Sequence, residues 1–507
     1  MMQKNVLEWL DQTVENNPKK VAYESEVMSI TFEELQLQSK RIGSVISQLK
    51  LGKSPIAVVL GREVTTISAF LGVVYSGHAY APLDASLPQV RMERILRILN
   101  PSAVIYNSKS EEIVKNCLLE AGIEHCQLLD LEKLMTGEIC EKELEKVRNE
   151  MTEEDPLYVI FTSGSSGNPK GVMTSHHALM CYIEAYADVM RIEKADRLGC
   201  QSPLDYIAAI RDIYLPLRYG AYSYLLPKEL FMQPDKLFAV MNEKKITCIG
   251  WSVSALTVLT SMGAFKDICL TELSKVCFSG SVMPGRVLKL WQQKLPNARF
   301  VNQYGPTEAT ASCTYYVVEH EVAEDEVLPI GTPYENYRIF LLNSDGTETG
   351  PGKIGEICVS GPILALGYYN DPERSKSSFI QNPINHGYFE RIYRTGDFGR
   401  VREDGLLEYH GRMDRQIKHM GHRVELDEIE AAAMQSEGIR ECVVLYHEGK
   451  EVIYLFYSGN KEKRDLILDL RKILPGFMIP RKVIGLDRIP KLPNGKMDME
   501  KLKERMQ

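Results

Sequence analysis

The sequence lacks any apolar run long enough to cross a bilayer. The longest, residues 67–75, falls far short of the roughly 20 residues that a spanning helix needs. No basic stretch leads into an apolar one behind Met1, where Glu8 and Asp11 stand instead, so neither a signal peptide nor a membrane partner is expected. A basic surplus is also missing. With a net charge of −8, the chain does not carry the basic stripe that nucleic-acid phosphates require. The eleven cysteines are odd in number, scattered, and form no Cys-x-x-Cys pair. That pattern argues against a zinc site or a disulfide framework and suits buried thiols in a reducing cytoplasm. Internal repeats and low-complexity tracts are absent too.

What is present is a chain of 507 residues, 44% hydrophobic and 25% charged, which can bury several cores and is expected to divide into domains. Residues 412–507 carry a net charge of +3 and residues 1–411 a net of −11, which marks a separate, mildly basic C-terminal module. Short apolar runs at 56–60, 103–106, 157–162, 246–249, 275–278 and 299–302 read as buried strands with amphipathic stretches between them. One such stretch, residues 31–49, opens with a Thr31-x-x-Glu34 capping box. This alternation predicts an α/β protein with parallel sheets covered by helices. After about residue 313 the pattern turns β-rich, with strands at 337–342 and 354–360 around a turn at 343–346. The last hundred residues read as a small α+β unit: helix 427–435, strands 442–446 and 452–457, helix 461–474.

The segment 162–171, TSGSSGNPKG, follows directly on the apolar strand 157–161. Its glycines and small hydroxyl residues let successive backbone N–H groups turn towards one anion, and Lys170 adds a point charge. The spacing fits neither the Walker A loop nor the Gly-x-Gly-x-x-Gly fingerprint. A flexible surface turn is the plain alternative, which the strand in front and Pro-Lys-Gly behind disfavour.

This loop resembles the phosphate loop of the adenylate-forming superfamily of acyl-CoA synthetases, luciferases and nonribosomal-peptide adenylation domains. Further segments resemble that family's motifs in the expected order: 70–84, Tyr304-Gly305-Pro306-Thr307-Glu308, 393–397, 411–414, 416–430, 474–480 and 493–496. The resemblance implies a large N-terminal domain, residues 1–411, of parallel and mixed sheets flanked by helices plus a distorted β-barrel. It also implies a small mobile α+β domain, residues 412–507, carrying a catalytic lysine. The implied nucleotide site comprises Thr162, Ser163, Gly164, Ser165, Ser166, Gly167, Lys170, Gly280, Asn302, Tyr304, Gly305, Thr307, Glu308, Asp397, Arg412 and Lys496. In it Tyr304 would stack on a purine and Glu308 would hold Mg²⁺ at the phosphates of ATP. Asp397 and Arg412 would take the ribose. Lys496 would bridge substrate carboxylate and α-phosphate, with Thr162, Lys170 and Glu308 completing the catalytic set. Asp414 is the implied hinge, and Gly421 would line a tunnel for a pantetheine thiol. Read without the family, Tyr304 is a turn aromatic, Asp397 a turn residue, Asp414 a salt-bridged surface acid and Lys496 a solvated tail charge. His176 and His177 read as a helix start and not as a metal or catalytic pair.

The motifs look more like peptide-synthetase adenylation domains and D-alanine–carrier ligases than fatty acyl-CoA synthetases. In amino-acid members an Asp pairs with the substrate ammonium, and Asp205 is the match here. Its distance from Asp212 departs from the family spacing, and an N-cap for a helix over 207–217 is the alternative. Arg211, Gly250, Cys277, Ser279, Gln303, Ala311 and Ser312 align with the rest of the pocket wall. Most are small, so a roomy cavity is expected. Arg211, if inward, would favour an acidic or multiply hydrogen-bonding acid; pairing with Asp212 or solvent is the alternative.

The expected function is ATP-dependent activation of an amino acid or related carboxylic acid as an acyl-adenylate, then transfer to the thiol of a separate carrier protein. An acyl-CoA or aryl-CoA ligase is the nearest rival. A non-catalytic nucleotide-binding protein of this fold is the second, opposed by the intact Lys170, Glu308, Asp397 and Lys496. The chain stops eleven residues after Lys496, so a carrier is expected as a separate protein.

Overall fold

Thr31 accepts a hydrogen bond from the Glu34 N–H, and the Glu34 carboxylate accepts one from the Thr31 N–H at 2.8 Å. The capping box thus opens helix Phe32–Gln48, as expected, in a computed structural model that describes residues 3–164, 168–266, 268–412, 415–491 and 497–506. This helix lies so close to helix Val64–Tyr75 that a Cβ on Gly43 would strike Tyr75, and one on Gly72 would strike Ile42. Glycine is required at that crossing for close approach.

Two large sheets form the body. One has seven strands in the order Gly367–Tyr368, Lys170–Ser175, Pro156–Thr162, Tyr80–Asp84, Ile56–Leu60, Ala103–Tyr106 and Gln127–Asp130. From Pro156–Thr162 to Gln127–Asp130 the pairing is parallel. The other has nine strands; Arg299–Tyr304, Lys275–Ser279, Cys248–Ser252, Arg197–Cys200, Tyr222–Leu225 and Val21–Glu24 are its parallel centre. Such strands are buried on both faces, which explains their near-continuous apolar runs. Ile56–Leu60, Val73 and Trp251 are all at most 2% exposed. The strand expected at 246–249 begins instead at Cys248, because the Ile246 N–H closes the preceding helix on Met241 O at 2.9 Å.

A five-stranded antiparallel sheet stands where a distorted barrel was expected. Its long strand Arg391–Val401 pairs with Phe379–Gln381 at one end and Leu407–Arg412 at the other, with a register shift between Asp397 and Gly399 that curls the sheet. The final segment carries the hairpin Gln416–His419/His422–Glu425 and a three-stranded sheet of Ile439–His447, Val452–Gly459 and Lys482–Leu486. Val424 to Val483 contribute apolar clusters of their own, centred on Ile429, Leu455 and Leu466. Among the described residues no helix is long and apolar enough to cross a membrane, and every cysteine is a free thiol.

Candidate active site

Thr162, Ser252, Ser279 and Tyr304 each end a strand of the two large sheets, so their side chains gather at the carboxyl edge where ligands of open α/β sheets bind. A cavity of about 1110 Å³ opens there, lined by parts of the body and of the C-terminal hairpin.

One corner is made of paired charges. The Tyr304 hydroxyl donates to Asp397 Oδ2 at 2.5 Å, and Arg412 donates to Asp397 Oδ1 at 2.7 Å and to Thr395 O at 3.0 Å. Asp397 and Arg412 face each other across the curled sheet, which fixes this pairing in the backbone register. Lys418 lies 5.3 Å from the Tyr304 ring centroid. These residues surround the place expected for a nucleoside.

Deeper in, Glu308 is fully buried on the turn Thr307–Ala309. Lys170 donates to its Oε1 at 3.0 Å, and the Tyr368 hydroxyl donates to the same oxygen at 2.7 Å; Arg423 donates to both oxygens, at 3.1 and 2.9 Å. Burial alone would raise the Glu308 carboxyl, but Arg423 and Lys170 hold it well below the usual carboxylate range. Burial pulls Lys170 down to about 8, with the Arg423 charge acting the same way and Glu308 opposing. The Thr162 hydroxyl is buried with no hydrogen-bond partner among the described residues, and Ser163 donates to Arg423 O at 2.6 Å. Gly164 precedes Ser165, Ser166 and Gly167, which lie outside the described residues.

Arg423 reaches this corner on the hairpin whose two-residue turn is Met420-Gly421, with φ of 52° and 82°. Positive φ at both positions makes the tight turn that suits twisted hairpins, and glycine takes the second without strain. The turn enters the cavity mouth. The Tyr206 hydroxyl donates to Gly421 O at 2.6 Å, a Cβ on Gly421 would meet Ser252 at 2.8 Å, and one on Gly280 would lie 3.9 Å from Gly421 Cα. A buried ion pair, Arg91 to Glu428 at 2.6 Å, fastens the following helix Leu426–Met434 to the body.

The opposite end of the cavity is walled by Tyr206, Ile207, Ala208, Arg211, Ser279, Gln303, Ala311 and Ser312. Gln303 is fixed from three sides: it donates to the Tyr334 hydroxyl at 2.6 Å and accepts from Ser312 Oγ and Arg211 Nη1, both at 3.3 Å. Gly250 and Cys277 stand behind Arg211 and do not line the cavity. A Cβ on Gly250 would meet the Arg211 guanidinium carbon at 3.2 Å, so the room left by the small residues is filled by arginine. Of the seven wall positions expected, Gly250 and Cys277 therefore stand behind Arg211 and not on the cavity.

Asp205 departs from expectation in both of its readings. It faces away from the cavity into a small recess with Leu204, Asp84, Leu60 and Arg62. Burial raises its carboxyl to about 6, with the Asp84 charge adding and Lys228 opposing. It caps no helix either, because Tyr206 N–H closes a turn on Pro203 O and the helix Ala209–Tyr219 starts two residues beyond Ile207. That turn puts Ile207 and Ala208 on the wall in its place. Asn302 lines the cavity and donates to Pro329 O at 2.8 Å; Gly305 and Thr307 line it beside Tyr304. His176 starts helix His176–Met190 behind the N-cap Ser175. Lys496 and Asp414 lie outside the described residues. Sequence reasoning missed Arg423, Tyr206, Tyr368, Ile207 and Ala208. Ile207 and Arg211 stand four apart, a helix-face signal, but only the fold reveals Arg423 on Glu308.

This geometry agrees with family relationships across the chain. Residues 10–369 match the AMP-binding enzyme family, and residues 428–496 match the AMP-binding enzyme C-terminal domain. The chain belongs to that family and is an ATP-using, AMP-forming ligase. It is 31% identical to the D-alanine–D-alanyl carrier protein ligase of Bacillus cytotoxicus, over 98% of each chain. It is 29% identical to part of gramicidin S synthase 2 of Aneurinibacillus migulanus, covering 98% of this chain and 11% of that one. In fold it is similar to the Vibrio cholerae adenylation domain AlmE, solved with glycyl-adenosine-5'-phosphate, with a TM-score of 0.84 and 21% identity over 100% and 98% of the two chains.

Proposed function

We propose that this enzyme activates a carboxylic acid as its acyl-adenylate and then passes the acyl group to the pantetheine thiol of a separate carrier protein. The observation that carries this reading is one continuous cavity. It joins the Tyr304–Asp397–Arg412 corner to the Arg211–Gln303–Ser312 end, and the Gly421 turn stands at its mouth. Nucleotide, acid and thiol can therefore meet without leaving it. The likeness to a carrier-protein ligase over nearly the whole of both chains supports a carrier as acceptor.

In this reading Asp397 and Arg412 take the ribose, Tyr304 packs on the adenine, and the loop from Thr162 to Lys170 receives the phosphates. The unpartnered Thr162 hydroxyl and the cationic Lys170 are both suited to anionic oxygen. Glu308 is an ionised, hard oxygen donor that fits a magnesium ion once Arg423 withdraws; bound there, the ion would supply charge neutralisation for the phosphates. Residues 1–411 form the body and 412–507 a module that turns about Asp414. One position brings Lys496 to the reacting carboxylate, and the other brings Gly421 to the thiol path. Lys496, between two anions, lowers their repulsion as they approach.

Two measurements test this. Acid-dependent pyrophosphate exchange reads the first step, and acyl loading of a pantetheine-bearing carrier against free CoA reads the second. Lys496→Ala is expected to lower exchange by about 100-fold or more while ATP still raises the melting temperature. Equal exchange in that variant would remove Lys496 from the mechanism, and faster thioester formation with CoA would replace the carrier.

A further inference from the structure

Arg211 is 2% exposed, yet its hydrogen bonds all go to uncharged acceptors. These are Gly250 O at 3.1 Å, Ala208 O and Gln303 Oε1 at 3.3 Å each, and Cys277 Sγ at 3.5 Å. The ring of Tyr186 lies 5.5 Å away. Among the described residues none forms an ion pair with Arg211. Asp212, its neighbour in sequence, feels the Arg211 charge more than any other, but at longer range than an ion pair, and its side chain bonds the Cys200 thiol. A guanidinium taken out of water without a direct ion pair is disfavoured, and its planar fork matches a carboxylate.

The surroundings are arranged for that group. Glycine at 250 leaves the room it fills, and Gln303, fixed by Tyr334 and Ser312, holds it in place. The wall beside it, Ile207, Ala208, Ala311 and Ser312, offers no negative charge, and Asp205 is turned into another recess. Among the described residues, an ammonium at this end would meet a cation and no carboxylate on the wall.

We propose that the acid activated here is a dicarboxylic acid without an α-ammonium group. One carboxylate is adenylated and the second pairs with Arg211, which is the specificity-determining residue. This rests on the adenylation reading and adds the substrate class to it.

The test is pyrophosphate exchange with succinate, glutarate, butyrate, aspartate, glutamate, glycine and alanine of either hand, using the full chain and its Arg211→Met and Arg211→Lys variants. Succinate or glutarate is expected to exceed butyrate and every amino acid by about tenfold or more. Arg211→Met should lower kcat/KM for the dicarboxylate about 100-fold and bring the ratio of dicarboxylate to butyrate to within about threefold, with Arg211→Lys in between. Stabilisation by ATP, read in parallel, reports that each variant is folded; if Arg211→Met is not, the order among acids in the unaltered enzyme decides. Preference for any amino acid, or a dicarboxylate rate that survives in Arg211→Met, would overturn the inference and leave adenylation intact. Exchange with no acid at all would overturn adenylation, and the inference with it.

Discussion

The two ends of the cavity handle buried charge in opposite ways. At the Tyr304 end the buried carboxylates are paired within the chain: Glu308 holds Lys170 and Arg423, and Asp397 holds Arg412. At the acid end Arg211 rests on carbonyl, amide and thiol groups. Internal pairing stabilises a site while it waits for a ligand that brings its own cation. An unpaired guanidinium instead builds the need for a ligand into the fold, and so selects by charge before shape.

Glu308→Gln breaks this contrast most severely. It leaves Lys170 and Arg423 buried without their shared carboxylate, and about 3–5 kcal/mol of stability is expected to be lost. Chemical denaturation measures it; a loss under 1 kcal/mol would mean that water or Tyr368 compensates. A smaller effect concerns pH. Because Lys170 sits near 8, its charge is present below that pH and is lost as pH rises through it. Phosphate binding favours the charged form, so ATP affinity of the free enzyme should fall by up to about tenfold between pH 7 and 9, and the fall should vanish in Lys170→Arg. Calorimetric titration at several pH values decides this. The smallest effect belongs to Asp205→Asn. With its folded value raised to about 6, this carboxyl binds more protons folded than unfolded between pH 4 and 6, and stability declines with rising pH there. The variant should flatten that decline and leave the order of preferred acids unchanged; an altered order would return Asp205 to the substrate.

Much of this was legible in the sequence because the signals were local. The Thr31–Glu34 box, the apolar strands 56–60 and 103–106, and the turn at 343–346 each depend on neighbours a few residues apart, and each stands where it was read. Tyr304, Glu308, Asp397 and Arg412 were picked out for a different reason, since they lie in segments that resemble family motifs, and the fold gathers them into two adjoining clusters. Direction was not legible. Asp205 and Ile207 differ by two residues, and a single turn closed on Pro203 decides which of them faces the cavity. Pairings over long separations were invisible for the same reason: Arg423 meets Glu308 across 115 positions and Arg91 meets Glu428 across 337. Strand alternation does give the hairpin residues a face, but not the carboxylate they will find.

The grip of Arg423 on both oxygens of Glu308 has a consequence for timing. The guanidinium stands where, in the proposed function, a magnesium ion would approach this carboxylate, and the same hairpin carries Gly421, whose carbonyl accepts from Tyr206. In that reading one arm would act as an interlock: the Arg423 cation and the metal of fresh ATP would occupy Glu308 by turns, so that withdrawing the hairpin and seating the nucleotide would be a single event.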